Sequence, residues 1–174
     1  MTLLAEVVRI LDANAIRYAL IGAGALAAHG VARSTYDIDL LTMDGGVLDA
    51  GLWLSISDAT ADIRTADAED PLAGVVRFRR PDDRDVDLIV GRPTWQDGVL
   101  QRATPLQLPD VTVPVVTAPD LILLKLYAGG SQDAWDIEQL LAGSSRSALI
   151  REVEQRVSVL PPDGVSLWHE LTRA

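Results

Sequence analysis

The stretch from Tyr18 to Leu41 constrains the fold most strongly. An apolar segment is followed by a turn of small residues, a short run of good helix formers, and a second apolar segment that carries two aspartates. This order predicts a strand over 18–22, a helix over 23–29 that Gly30 ends, and a strand over 36–42. The chain is therefore predicted to have an α/β (α+β) fold.

The two aspartates of this stretch, Asp37 and Asp39, are two residues apart on the second predicted strand. Their side chains therefore point to the same face of the sheet. Asp disfavours strands, and like charges on one face repel each other. A divalent cation such as Mg²⁺ would offset that repulsion, and it also binds phosphate oxygens. The plainer alternative is a half-exposed strand with two solvated carboxylates.

The segment Asp85-Val-Asp87 repeats this acidic pattern at the start of a strand predicted over 85–90. If that strand neighbours the strand over 36–42, one of its acids faces the same cavity. Asp87 is the preferred third acid, and Asp85 is assigned to the preceding turn, although the choice between them stays open. Three converging carboxylates suit a two-metal, phosphoryl-type transfer. Asp87 would then orient or deprotonate the attacking hydroxyl.

The small residues Gly22, Ala23 and Gly24 open the first short helix, where backbone N–H groups can bind phosphate. They also fit the loose G-x-G-x-x-A dinucleotide fingerprint. In that fingerprint the acid follows the second strand, whereas here the acids precede its apolar run, and no further β–α–β units follow. The dinucleotide interpretation is therefore disfavoured. A purely structural role, in strand–helix packing, would leave the paired acids unexplained.

The rest of the chain alternates helices and strands up to about residue 116 and is helical beyond it. A turn through residues 81–84 predicts a hairpin between the flanking strands, and Pro114 places its strand at a sheet edge. The predicted domains are an α/β core over 1–116 and a helical C-terminal subdomain over 117–174. The further predicted helices are 2–13, 47–57, 93–102, 117–127, 132–141 and 144–157, and the further predicted strands are 75–79 and 111–116.

Composition excludes several classes of protein. The net charge of −10 argues against broad nucleic-acid binding. No apolar run approaches the eighteen or so residues of a membrane span, and we expect residues 2–13 to form an amphipathic helix rather than a signal peptide. The chain has no cysteine and hence no disulfide framework. We expect a cytoplasmic protein without a membrane partner. The dense basic cluster comprises Arg77, Arg79, Arg80 and Arg84.

A lysine in the C-terminal half is a further candidate. Lys125 lies in the almost wholly apolar segment Leu121–Leu126, where a lysine either extends to water or meets an anion. Two acids follow on the next predicted helix. Asp133 is predicted to stabilise the start of that helix. Asp136 is predicted to hold Lys125 or Arg33 in place.

The order of these motifs resembles the DNA polymerase β-type nucleotidyltransferase superfamily. Its pattern is a hydrophobic residue, Gly, and Gly or Ser, then after a spacer Asp-hydrophobic-Asp/Glu-hydrophobic, and a third acid on a later strand. The matching segments are Ile21-Gly22-Ala23, Asp37-Ile38-Asp39-Leu40 and Asp87. Minimal, abortive-infection (AbiEii)-like nucleotidyltransferases are the most similar members. The features shared with them are His29-Gly30, Arg33-Ser-Thr35, the segment around Lys125, and Asp133 with Asp136-Ile137.

The resemblance implies a nucleotidyltransferase fold, with a mixed sheet flanked by helices and a small helical subdomain packed on the core. It also implies Mg²⁺-dependent (or Mn²⁺-dependent) transfer of an NMP from an NTP to a hydroxyl of an RNA such as tRNA, a protein or a small molecule. Many relatives belong to toxin–antitoxin or phage-defence systems, so a cognate toxin or antitoxin is an implied partner. The implied catalytic and metal-binding residues are Asp37, Asp39 and Asp87, and the implied nucleotide-binding residues are Gly22, Ala23, Gly24, Arg33 and Lys125.

One residue departs from the superfamily pattern at the turn. Ala23 stands where Gly or Ser is usual, which adds a Cβ and removes a hydroxyl that can bind phosphate. This departure favours an alternative, a catalytically inactive module that acts as an antitoxin or regulatory partner. A third hypothesis is a metal-dependent hydrolase built on the same acids.

Overall fold

Alternating apolar residues in the first two thirds of the chain form a seven-stranded mixed sheet. The computed structural model describes residues 1–33, 37–143 and 145–173. The strands are β1 (Tyr18–Leu20), β2 (Ile38–Thr42), β3 (Thr60–Thr65), β4 (Leu72–Arg79), β5 (Val86–Gly91), β6 (Thr104–Gln107) and β7 (Thr112–Val115). The α-helices are α1 (Leu3–Ala13), α2 (Gly22–Ala28), α3 (Trp95–Arg102), α4 (Ala118–Ala128), α5 (Ser131–Leu141), α6 (Arg146–Glu154) and α7 (Pro162–Thr172).

The chain forms two compact units. The first comprises residues 1–24 and 34–116 and contains the whole sheet, and the second comprises residues 25–33 and 117–174 and is helical. The strand order is β3-β4-β5-β2-β1-β7-β6. The β2–β5 and β1–β7 pairs are parallel and the other pairs are antiparallel. The predicted α/β class with a mixed sheet is therefore confirmed.

One face of the central strands is apolar, and the other, which we call the polar face, carries a charged row beside an apolar row of Leu41, Ile89 and Val75. Leu40 of β2, Leu88 of β5 and Val76 of β4 lie opposite one another in register and are fully buried. Because side chains alternate along a strand, the adjacent row points to the other face. That row contains acidic and basic side chains, so the polar face of the sheet carries the candidate site.

The first helix supplies core residues to the first unit at helical spacing. Leu3, Val7 and Leu11 of α1 are fully buried, and the Thr2 side chain caps the helix by accepting a hydrogen bond from the Ala5 N–H. Trp53 packs edge-to-face on a core aromatic ring, that of Phe78, with ring centroids 4.7 Å apart. These contacts build the apolar core of the first unit.

The second unit is organised around α4, which contacts α5, α6 and α7. Thr117 caps α4 as predicted, and Gly129 ends it in the left-handed conformation, with φ of +70°. The helix is apolar almost all round, as expected for a buried helix. Pro162 starts α7, which the sequence did not predict, and Trp168 of α7 is fully buried.

The helix predicted over 47–57 is wrong. The region forms two short 3₁₀ segments, Gly45–Leu48 and Ala50–Trp53. The carboxylates of Asp44 and Asp49 accept hydrogen bonds from backbone N–H groups two residues on, at 2.8 and 2.9 Å. Such local side-chain bonds compete with a continuous helix.

The prediction that the strand over 111–116 lies at a sheet edge is also wrong. β7 lies between β1 and β6, and β6 is the edge strand on this side of the sheet. Pro114 stands opposite Pro105 of β6. The Val116 N–H donates to the Leu20 carbonyl of β1, and alternate nitrogens of a strand point the same way. The nitrogen of Pro114 therefore points away from β6, and the β6–β7 ladder loses no hydrogen bond.

The predicted strand over 36–42 begins at Ile38 among the described residues, and Tyr36 lies outside them. Among the described residues, every helix is too short or too polar to cross a lipid bilayer.

Candidate functional site

Three carboxylates come together on the polar face of the sheet in the first unit. One oxygen from each of Asp37, Asp39 and Asp87 lies within 4.8 Å of the other two. The parallel β2–β5 register places Asp39 directly opposite Asp87, and Asp37 immediately precedes β2. Asp87 is buried, whereas Asp37 and Asp39 are half-buried. We call these three residues the carboxylate cluster.

The neighbouring acid Asp85 lies outside the carboxylate cluster. Its carboxylate accepts a hydrogen bond from the Arg79 Nε at 3.1 Å. Its backbone carbonyl accepts one from the Ile38 N–H at 2.9 Å, which helps to hold β5 beside β2. The structure thus brings Asp87, rather than Asp85, to the two aspartates of β2.

Arg77 of β4 is the direct partner of Asp87. Its Nε lies 2.7 Å from Oδ1 and 3.0 Å from Oδ2 of Asp87, and its Nη2 also donates to Oδ2. These hydrogen bonds and the attraction of the Asp87 charge raise the pKa of Arg77 above its ordinary value, so the guanidinium stays charged. The sequence placed Arg77 only in a basic cluster on the hairpin, because its partner depends on the strand register.

The first turn of α2 approaches the carboxylate cluster at backbone level. Gly22 has a φ of +59°, and a Cβ at this position would lie 2.1 Å from Oδ2 of Asp39. The Ile21 N–H donates to the Asp39 carbonyl at 2.9 Å, which ties the turn to β2. Only glycine fits here, because any side chain would occupy the space of the Asp39 carboxylate.

The other two small residues of the turn have different surroundings. Ala23 is buried, with 6% of its surface exposed. A Cβ at Gly24 would lie 2.9 Å from the Leu20 side chain. Gly24 therefore allows the start of α2 to approach β1 closely, which is a packing role.

The second unit contains a buried network of opposite charges. Asp136 of α5 is fully buried, and its Oδ2 accepts hydrogen bonds from the Lys125 Nζ and, at 2.6 Å, from the Arg33 Nη1. Lys125 also donates to Asp133 at 3.0 Å. The prediction that Asp136 holds Lys125 or Arg33 in place is confirmed, and it holds both. Asp133 also accepts from the N–H of Gly130 at the start of α5, as predicted for a first-turn acid.

The predicted site residues thus belong to two units. Asp37, Asp39, Asp87 and the turn residues 22–24 lie in the first unit, whereas Arg33 and Lys125 lie in the second. The carboxylate cluster offers only oxygen ligands, from side chains that share one face. Such a donor set fits hard divalent cations such as Mg²⁺ and Mn²⁺ better than softer metals.

The sequence matches neither a protein-family model nor a curated protein. Solved structures do match. An antigenic nucleotidyltransferase-like protein from Paracoccidioides brasiliensis is 20% identical, with a TM-score of 0.50 over 98% of this chain and 94% of that one. The antibiotic-resistance factor ANT(2'')-Ia is 13% identical, with a TM-score of 0.58 over 96% of this chain and 94% of that one. The chain therefore has the predicted nucleotidyltransferase fold.

Proposed function

We propose that this protein transfers a nucleoside monophosphate from an NTP to a hydroxyl group, with Mg²⁺ or Mn²⁺ bound by Asp37, Asp39 and Asp87. The carboxylate cluster is the observation that carries this proposal. Three acids on one face of a strand pair repel one another, and the single positive charge of Arg77 offsets only part of that repulsion. The nucleotidyltransferase fold supports this reaction over hydrolysis.

Each residue of the cluster has a role in the proposed reaction. A divalent ion bound there would stabilise negative charge on the phosphates and promote ionisation of the acceptor hydroxyl. Asp37 and Asp39 supply oxygen ligands. Asp87 orients the acceptor hydroxyl and accepts its proton. The hydroxyl oxygen then bonds to the α-phosphorus, the bond from that phosphorus to the bridging oxygen breaks, and pyrophosphate leaves.

Backbone and cationic groups would bind the nucleotide. We propose that the turn of Gly22, Ala23 and Gly24 contacts phosphate through its N–H groups, because its backbone lies directly beside the carboxylate cluster at Asp39. We also propose that Lys125 and Arg33 bind phosphate oxygens. The buried carboxylate that pairs with both of them would fix the direction of the two cations.

The motif resemblance supports a finer assignment, to an AbiEii-like enzyme of a toxin–antitoxin or phage-defence pair in the cytoplasm. The acceptor would be a tRNA, a partner protein or a small molecule with hydroxyl groups. The net charge of −10 favours the latter two acceptors, because a polyanionic acceptor would be repelled over most of the surface.

The test is transfer of label from α-³²P NTPs in the presence of Mg²⁺, with tRNA, a cell lysate and amino-alcohol small molecules as separate acceptors. We expect a labelled product that Asp39→Asn abolishes. Asp85→Asn is the matched control, because this acid lies outside the carboxylate cluster and pairs with Arg79. Absence of product with every acceptor would contradict the proposal.

A second candidate function is the inactive binding module. Two observations favour it: Ala23 replaces the usual Gly or Ser, and Arg77 bonds both oxygens of the third acid. Metal-dependent NTP binding without labelled product would support this module. Release of free phosphate from NTP would instead support the hydrolase.

A further inference from the structure

We propose that Arg77 is the built-in counter-ion of the carboxylate cluster: it neutralises and orients Asp87 and thereby weakens the binding of divalent ions there. This inference rests on the proposed function, because it concerns the same cluster. It adds to the site a residue that lies beside the acids on a neighbouring strand.

The register of the hairpin creates this contact. The antiparallel β4–β5 pair places Arg77 directly opposite Asp87, and directly opposite residues share a face of the sheet. The guanidinium bonds both oxygens of the carboxylate, at 2.7 and 3.0 Å from Nε. Such a two-point contact fixes the orientation of the carboxylate as well as its charge. The Asp87 side chain is 9% exposed and that of Arg77 is 39% exposed.

The charges along this row of the sheet show why the counter-ion matters. Asp39, Asp87, Arg77 and Asp62 are successive partners on β2, β5, β4 and β3. Asp62 is paired with Arg64 of its own strand at 2.9 Å. Arg77 is therefore the cation of this row that adjoins the carboxylate cluster. Three carboxylates within 4.8 Å of one another repel strongly, and one positive charge offsets part of that repulsion.

The same positive charge that stabilises the carboxylates would disfavour the binding of a divalent ion. The ion gains from the three carboxylates but is repelled by the guanidinium beside Asp87. A unit positive charge about 6 Å from a divalent ion in a water-like dielectric weakens binding by about 1.4 kcal/mol, which is about tenfold in Kd. Arg77 therefore sets the affinity of the site as well as its geometry.

The pair of Arg79 and Asp85 is a matched control on the same two strands. Arg79 lies two residues from Arg77 on the same face and bonds Asp85 at 3.1 Å. This pair is more exposed, with side chains 50% and 25% exposed, and Asp85 is outside the cluster. Because the Arg79–Asp85 pair is more exposed to water, salt screens its charges better than those of the Arg77–Asp87 pair.

The experiment measures Mn²⁺ binding to the full chain by calorimetry, for wild type and for the variants Arg77→Gln, Arg77→Lys and Arg79→Gln. We expect Arg77→Gln to bind Mn²⁺ about tenfold more tightly at low salt. Arg79→Gln should change the Kd by less than about threefold. Arg77→Lys keeps the positive charge but loses the two-point contact with the Asp87 carboxylate. It should bind Mn²⁺ with the wild-type Kd, while any transferase activity falls.

A second readout uses thermal unfolding in EDTA. Arg77→Gln should lower the midpoint more than Arg79→Gln does, because it exposes the repulsion among the acids, and added Mn²⁺ should restore it. If wild type binds Mn²⁺ but Arg77→Gln binds it equally or more weakly, the counter-ion proposal is overturned and the proposed function stands. If neither wild type nor Arg77→Gln binds Mn²⁺, both fail.

Discussion

Replacing Gly22 by alanine tests whether the turn and the carboxylate cluster fit each other sterically. The added Cβ would lie 2.1 Å from Oδ2 and 2.9 Å from Cγ of Asp39, far inside contact distance. The Asp39 side chain would have to rotate away, which costs about 0.5–1.5 kcal/mol if it leaves its rotamer. The positive φ of 59° adds about 1–2 kcal/mol for a residue with a Cβ. The two contributions together are about 1.5–3.5 kcal/mol.

Gly30 provides a matched control for the backbone contribution. It also has a positive φ, of 84°, but a Cβ there would meet nothing within 4 Å. Gly30→Ala should therefore cost only the backbone part, about 1–2 kcal/mol. Each kcal/mol corresponds to about 2–4 °C in the unfolding midpoint of a chain of this size.

Two assays separate the contributions. Thermal melts in EDTA should place Gly22→Ala below Gly30→Ala, and Mn²⁺ titration should show binding lost in Gly22→Ala alone. Asp39→Ala removes Oδ2 and Cγ, the two nearest atoms, and leaves only the Cβ at 3.1 Å. In that background Gly22→Ala should therefore cost less than it does in wild type. The reasoning is refuted if Gly22→Ala has the same unfolding midpoint as Gly30→Ala and still binds Mn²⁺ with the wild-type Kd.

Two further predictions concern other parts of the chain. Asp136→Asn removes the buried carboxylate that pairs with Lys125 and should lower the free energy of unfolding in urea by about 3 kcal/mol. Asp133→Asn, at a side chain 24% exposed, should lower the free energy of unfolding by less than about 1 kcal/mol. If the two variants lose equal stability, Asp136 is not the centre of the buried charge network. Burial and Asp12 raise the pKa of Tyr18 above its ordinary value. The unfolded state then loses that proton first, so stability should fall as the pH rises above about 10. Tyr18→Phe should reduce this loss of stability at high pH. If the slope of the unfolding free energy against pH is unchanged in this variant, the raised pKa of Tyr18 is contradicted.

The sequence predicted those elements whose signal is local. The Asp37-x-Asp39 spacing placed two acids on one face, and the cap at Thr117 marked the start of α4 correctly. The strand predicted over 75–79 is shorter than the observed strand β4, which begins at Leu72. Its first residues, which include Gly74, lack the alternation that marks a strand.

The missed strands β3 and β6 lie at the two edges of the sheet. β3 has Ile63 as its one large apolar residue, and β6 contains Pro105 in four residues. Their pairing partners, rather than their own composition, make them strands, because β-propensity depends on cross-strand neighbours. A local pattern therefore gives little sign of them.

The composition of the site was only partly predictable for a similar reason. Asp85 and Asp87 carry the same local pattern, and only the parallel register with β2 shows which of them meets Asp39. The contact of Arg77 with Asp87 depends on the register of a hairpin, and a shift of one residue would move Arg77 to the other face. Such registers arise from packing over the whole sheet.

The burial of two tryptophans gives each unit its own fluorescent reporter. Trp53 is 4% exposed in the first unit, and Trp168 is fully buried in the second. Indole emission shifts to longer wavelength when water reaches the ring. A variant that keeps only one of these two residues as its fluorophore would therefore reveal whether the sheet-containing and helical halves melt together or in separate steps.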